Sequence, residues 1–189
     1  MKNLTVWVVS WMVLAGCATP IGTIKNPVQP EQYLPEKHYI QGLKPQLQWI
    51  AECVPVSMKI VLDYYGINIS LEEISAGVKQ TRIATRTSDI GPFLNRIGLQ
   101  MKLHQDTDFK KPWMKYYISN NHPPLVSGGH FGHMGQVGHM VVAVGYDDTK
   151  KYFYMLDPNQ KAVITYTYHQ FHDWHTYRGY SNVMAILKK

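Results

Sequence analysis

The sequence lacks a hydrophobic run long enough to span a bilayer comfortably; the apolar stretch near its start, Leu4 to Val13, suits the h-region of a secretory signal instead. It also lacks clustered charge. The net charge is +6, but the lysines and arginines are scattered and no nucleic-acid-binding motif is present. Solubility and nearness to anionic surfaces account for that charge, and no nucleic-acid partner is expected. There is no internal repeat and no low-complexity tract outside the N-terminal region, so repeat architectures find no support. With 45% hydrophobic and 17% charged residues among 189, the chain reads as one globular domain rather than a disordered or fibrous protein.

Cysteine is scarce as well: the chain has two, Cys17 and Cys53. The first ends Leu14-Ala15-Gly16-Cys17, which resembles the lipobox of bacterial lipoproteins, where the cysteine is acylated (palmitate among the chains) and becomes the new N-terminus. Residues 1–16 are then a lipoprotein signal peptide; a plain signal peptide cut elsewhere and an uncleaved anchor are the alternatives. The expected product is a membrane-attached lipoprotein of the bacterial cell envelope, held by lipid alone. Ala18, by resemblance to Gram-negative lipoproteins, directs it to the periplasmic face of the outer membrane. Lipidation of Cys17 leaves Cys53 unpaired in a compartment that favours disulfides, which points to chemistry at that thiol; burial as a small hydrophobe is the competing reading.

From Cys17 to Pro45 the chain is polar and proline-rich, with Pro20, Pro27, Pro30, Pro35 and Pro45, and reads as a lipidated tether and extended lead-in to a domain over 46–189. Apolar residues at Val56, Ile60, Val61 and Tyr64 predict a central helix with one buried face from Cys53 to Tyr65, stopped by Gly66. Ser70 and Glu73 have capping-box spacing and predict a second, short helix. A third is expected from Ser88 to Ile97, with Ser88 or Asp89 near its cap and Gly98 as its stop, followed by a strand from Leu99 to His104. The second half changes character. Pro123–Ser127, His139–Tyr146, Lys151–Leu156, Ala162–Tyr168 and Val183–Leu187 are short runs rich in Val, Ile, Tyr and Met, separated by turn signals such as Gly128-Gly129, Asp147-Asp148 and Asp157-Pro158-Asn159. A helical half followed by an antiparallel sheet is an α+β layout.

Cys53 opens the central helix, where unpaired N–H groups and the positive end of the helix dipole favour thiolate over thiol. A nucleophilic cysteine needs a base and a group that orients the base. His139 enters a strand directly after a glycine-rich stretch and is the candidate base. A hairpin of the His139 and Lys151 strands, bent over Gly145 to Lys150, would return Asp157 to its side, where a carboxylate could hold the imidazole and stabilise its charged form. Asp157-Pro158 reads equally as an ordinary turn. Acyl transfer also needs oxyanion donors, for which the Cys53 N–H and the upstream Gln48 amide are candidates.

Together these residues resemble the peptidase C-39 family, papain-like cysteine peptidases named for processing bacteriocin precursors, with its stand-alone relatives. Three stretches carry the resemblance: Gln48 through Cys53 to Gly66; Ile69 to Ile74 followed by Thr87 to Ile90 and Leu94 to Leu99; and Gly138-His139 through Gly145-Tyr146 to Asp157-Pro158. The resemblance implies a papain-like fold, with the central helix packed on the sheet, and a Cys53, His139, Asp157 triad with Gln48 in the oxyanion hole. The sequence departs from the family pattern twice. Val54-Pro55 stands where glycine usually follows the cysteine, and the family's glutamine lies six positions before the cysteine, between Gln46 and Gln48, which leaves the donor open between those two.

Two histidine groups are candidate metal sites: His130, His133 and His139, and His169, His172 and His175. Neither matches a strong zinc spacing or has an obvious fourth ligand, so no metal is expected, and the chemistry requires no cofactor. The stretch from Gly128 to Gly138 reads as a rim of the cleft; no lysine follows it in the manner of a phosphate loop. The expected function is a lipid-anchored cysteine peptidase that hydrolyses a peptide or protein substrate of the envelope through an acyl-enzyme. The alternatives are an acyltransferase or deamidase using the same triad, a non-catalytic peptide-binding module of the same fold, and a structural partner in an envelope or pilus assembly.

Overall fold

A computed structural model describes residues 34–79, 85–129 and 138–189. The expected signal peptide, Cys17, most of the expected tether, and His130 and His133 with most of the expected cleft rim lie outside the described residues. The elements in chain order are β1 (Lys37–Tyr39), α1 (Cys53–Tyr64), α2 (Leu71–Val78), α3 (Thr87–Arg96), β2 (Leu99–Gln105), α4 (Pro112–Ser119), β3 (Leu125–Gly128), β4 (His139–Asp147), β5 (Tyr152–Asp157), β6 (Ala162–Thr167), α5 (Tyr168–Thr176) and β7 (Asn182–Lys188). The strands form one seven-stranded sheet in the order β2-β7-β3-β4-β5-β6, with β1 paired to β4, and every pairing is antiparallel. The fold is α+β.

Local signals account for the first helices. The Ser70 hydroxyl accepts the Glu73 N–H at 3.1 Å and starts α2. Gly66 and Gly98 take φ of +73° and +80° directly after α1 and α3, where a left-handed residue ends a helix at little cost. For α3 the cap differs from the expected Ser88 or Asp89. The helix begins at Thr87, and the Asp89 carboxylate accepts the N–H of Arg86 at 3.3 Å, so Asp89 caps from inside the first turn.

The sheet is covered on both faces. On one face Val56, Ile60 and Val61 of α1 and Ile90, Phe93 and Leu94 of α3 pack on Val142, Val144, Leu156, Met184 and Ile186. On the other, Met114, Tyr117 and Ile118 of α4 and Phe171 and Trp174 of α5 pack on Val141, Ala143, Phe153, Met155, Val183 and Ala185. Neighbouring residues along each strand thus serve opposite cores, which is why β4 is apolar almost without interruption and buried along its whole length. Helices α4 and α5 were not expected. Their aromatic content resembles that of the strands around them, and it is the second sheet face that stabilises them as helices.

The segment read as an extended lead-in supplies β1, with Lys37 opposite Asp147 and Tyr39 opposite Gly145. Gly145 lies within β4, at a register shift against β5, rather than in the hairpin bend. A Cβ there would stand 2.6 Å from the Tyr39 ring and 3.0 Å from the His38 carbonyl, so only glycine lets β1 approach this closely.

Candidate active site

Cys53 is the first residue of α1, and Glu52 is its N-cap. The N–H groups of this first turn have no acceptor within the helix, which makes proline tolerable at Pro55. Val54 and Pro55 are both buried and belong to the buried face of α1. The Glu52 carboxylate is drawn away from the turn by Lys79 at the end of α2, with Nζ 3.1 Å from Oε1. One turn beyond Cys53, the buried Ser57 hydroxyl donates to the Met140 carbonyl at 3.2 Å, tying α1 to the start of β4 beside His139.

His139 and Asp157 are both buried, and Nε2 of the imidazole lies 2.8 Å from Oδ1 of the carboxylate. The β4–β5 hairpin delivers this pair as expected, though its bend is shorter, since the strands run on to Asp147 and Tyr152. With Nε2 engaged, Nδ1 is the ring nitrogen left for Cys53. Burial opposes charge on the imidazole, but hydrogen bonds to Asp157 and Cys53, together with their negative charge, outweigh it and push His139 up to about 9. The histidine is therefore held as a cation at neutral pH.

Asp157 is both a turn residue and a histidine partner. Its Oδ1 accepts the Asn159 N–H at 2.8 Å, and its carbonyl accepts the Gln160 N–H at 3.0 Å. The Asn159 side chain, in the sequence only part of a turn signal, stands with Nδ2 3.2 Å from His139 Nε2. Its nitrogen can donate to an unprotonated Nε2, and its oxygen, brought round by rotation of the amide, can accept from a protonated one. Asn two residues after Asp at a strand end is a common turn pattern, so the sequence carries no sharper signal for this contact.

The two candidate glutamines are separated in space. Gln46 Nε2 donates to Asp63 Oδ2 at 2.8 Å, and Asp63 lies about 15 Å along the helix axis from Cys53. The Gln48 N–H instead donates to the Pro158 carbonyl at 2.9 Å, which fixes Gln48 beside the turn that carries Asp157. Its Oε1 is buried with no hydrogen-bond partner among the described residues. Of the other histidines, His175 Nδ1 meets the Ser127 carbonyl at 2.7 Å and His172 Nδ1 meets Lys111 Nζ at 3.2 Å. Among the described residues no group of His, Cys, Asp and Glu side chains has an arrangement that could hold a metal ion.

The chain belongs to the Peptidase_C39 like family, whose model matches residues 38–184. A search of curated protein sequences gives no match. Among solved structures, a double glycine motif protease from an AMS/PCAT transporter, in complex with the leader peptide, is 18% identical; its TM-score is 0.58, over 81% of this chain and 99% of that one. The peptidase domain of Streptococcus ComA, a bi-functional ABC transporter involved in a quorum sensing pathway, is 18% identical with a TM-score of 0.61, over 78% of this chain and 100% of that one. Xylellain, a cysteine protease from Xylella fastidiosa, is 10% identical with a TM-score of 0.61, over 83% of this chain and 87% of that one. These likenesses identify the fold as that of the papain-like cysteine peptidases.

Proposed function

We propose that this family member is a lipid-anchored cysteine peptidase that hydrolyses peptide bonds of an exported or envelope protein. Cys17 carries the lipid, and the proline-rich segment after it spaces the domain from the outer membrane. The observation that carries the catalytic part is the buried His139–Asp157 contact of 2.8 Å, with an imidazole that both Asp157 and Cys53 hold in its charged form.

In this reading the Cys53 sulfur attacks the carbonyl carbon of the scissile bond. The resulting oxyanion is met by the Cys53 N–H and the Gln48 amide, the two kinds of donor such intermediates require. As the intermediate collapses, the C–N bond breaks and the His139 proton passes to the leaving amine. A water molecule then attacks the thioester. His139 takes its proton, and the acid departs as the C–S bond breaks, which restores the Cys53 thiolate and the His139 cation. Asp157 keeps Nδ1 of the ring turned toward Cys53 throughout.

The test is alkylation of Cys53 by iodoacetamide across pH, in a soluble form lacking residues 1–17 and in its His139→Ala variant. Alkylation faster than that of a free thiol near neutral pH, and lost with His139, is expected. Slow alkylation indifferent to His139 would overturn the reading and favour a binding module. Cys53→Ala, with an unchanged fold by circular dichroism, is expected to abolish cleavage.

A further inference from the structure

Large apolar side chains in water are scattered over most surfaces without consequence. The segment just before Cys53 is different. Leu47 is 57% exposed, Trp49 80% and Ile50 90%, the last two being the most exposed large apolar residues among those described. The segment is not a loose end that happens to face outward. The Gln48 N–H is bonded to Pro158, the Glu52 N–H closes a turn on the Trp49 carbonyl at 3.3 Å, and the Glu52 carboxylate is paired with Lys79. Ala51 takes φ of +59°, a left-handed conformation with a cost for a residue bearing a Cβ, which this set of bonds sustains. The backbone is held while the apolar side chains project away from it.

That segment contains Gln48 and leads directly into Cys53, the two residues proposed to meet the scissile carbonyl, with Leu47 just before the first and Trp49 and Ile50 between the two. We propose that Leu47, Trp49 and Ile50 form an apolar rim of the cleft and take a bulky apolar side chain of the substrate, close in sequence to the bond that is cut. The inference rests on the peptidase reading for its place in the cleft, but it concerns recognition rather than chemistry. An extended peptide laid across Cys53 would cover the rim and bury its surface while leaving the thiol in use. A lipid bilayer could also cover Trp49 and Ile50, but seating them in it would press the membrane against Cys53, so the rim is assigned to a peptide.

The experiment uses the soluble Cys53→Ala form, so that binding is read without cleavage, and a double variant, Trp49→Ser with Ile50→Ser, in the same background. Both positions are exposed, and retention of the fold is checked by circular dichroism. The probes are fluorescent decapeptides of one background sequence, with Leu, Phe, Gly or Asp at each position in turn, read by anisotropy. Tighter binding of Leu and Phe peptides than of Asp peptides at one position, by about 10- to 100-fold, and loss of that preference in the double variant, is expected. A preference that survives in the double variant, or no preference at any position, would overturn the proposal. So would partition of the protein into phosphatidylethanolamine–phosphatidylglycerol vesicles that depends on Trp49 and Ile50 without a peptide preference. Failure of the peptidase reading appears separately, as Cys53 alkylation that ignores His139, and leaves this binding result intact.

Discussion

The Ser57 hydroxyl donates to the Met140 carbonyl at 3.2 Å, inside the contact between the central helix and β4. Ser57 lies one turn from Cys53 and Met140 is the neighbour of His139, so this one bond couples the position of the thiol to that of the imidazole. Ser57→Ala removes a buried hydrogen bond and is expected to destabilise the fold by about 1 kcal/mol. Peptide cleavage should fall through kcat more than through KM, because the spacing of the reacting groups changes and the substrate contacts do not. Thermal denaturation and steady-state kinetics on one preparation check both parts.

The pH behaviour follows from His139. Its folded value of about 9 lies above its ordinary 6.5, so the cation stabilises the fold fully below 6.5, and this contribution is lost as the pH rises from there to about 9. Activity that uses the imidazolium as proton donor should fall on the same alkaline side, with a midpoint near 9. Asp157→Ala removes a partner that favours charge and leaves the burial that opposes it, so the alkaline limb should move to lower pH. Cleavage should drop on the order of 100-fold or more. Asn159→Ala keeps the backbone N–H on Asp157 and should cost less. A limb unmoved in Asp157→Ala would count against an orienting carboxylate.

The glutamines give a sharp contrast. Gln48→Ala removes the amide beside the Asp157 turn and is expected to lower kcat by about 100-fold with a small change in KM, the pattern of a lost oxyanion donor. Gln46→Ala gives up its bond to Asp63 at the far end of α1 and should change stability slightly and kcat not at all. Equal effects of the two substitutions on kcat would contradict the assignment.

His175 sets an acid limit on stability. It is fully buried on α5, and burial, followed by the nearby Lys111 cation, pushes it down to about 3. The folded protein holds it neutral while the unfolded chain takes up a proton below 6.5, so stability should fall progressively as the pH drops from 6.5 toward 3. His175→Gln removes that proton uptake and should flatten this part of the profile, measured by urea denaturation at a series of pH values. The neutral-pH stability of the variant will be lower, since the imidazole also packs against Phe171.

The features that short stretches of the chain specify are local. The stripe at Val56, Ile60 and Val61, the Ser70–Glu73 cap, the stops at Gly66 and Gly98 and the alternation of turn signals with Val-rich runs each act within a few residues, so the α+β layout was legible. The β4–β5 hairpin was legible too, because a short connection leaves two strands little choice but to pair. The non-local features arise from the packing of distant elements. The three residues of β1 pair with the far end of β4 because Gly145 leaves room, and nothing in Lys37–Tyr39 itself announces a strand. An apolar run such as β4 does not say whether one face or two will be covered, so α4, α5 and the second core stayed out of view. The contacts of Ser57 with Met140, Gln48 with Pro158 and Asn159 with His139 join segments far apart or turned back on each other. Hydrogen bonds of about 3 Å depend on how whole elements pack, and packing is set by the summed fit of two cores rather than by any short stretch of the chain.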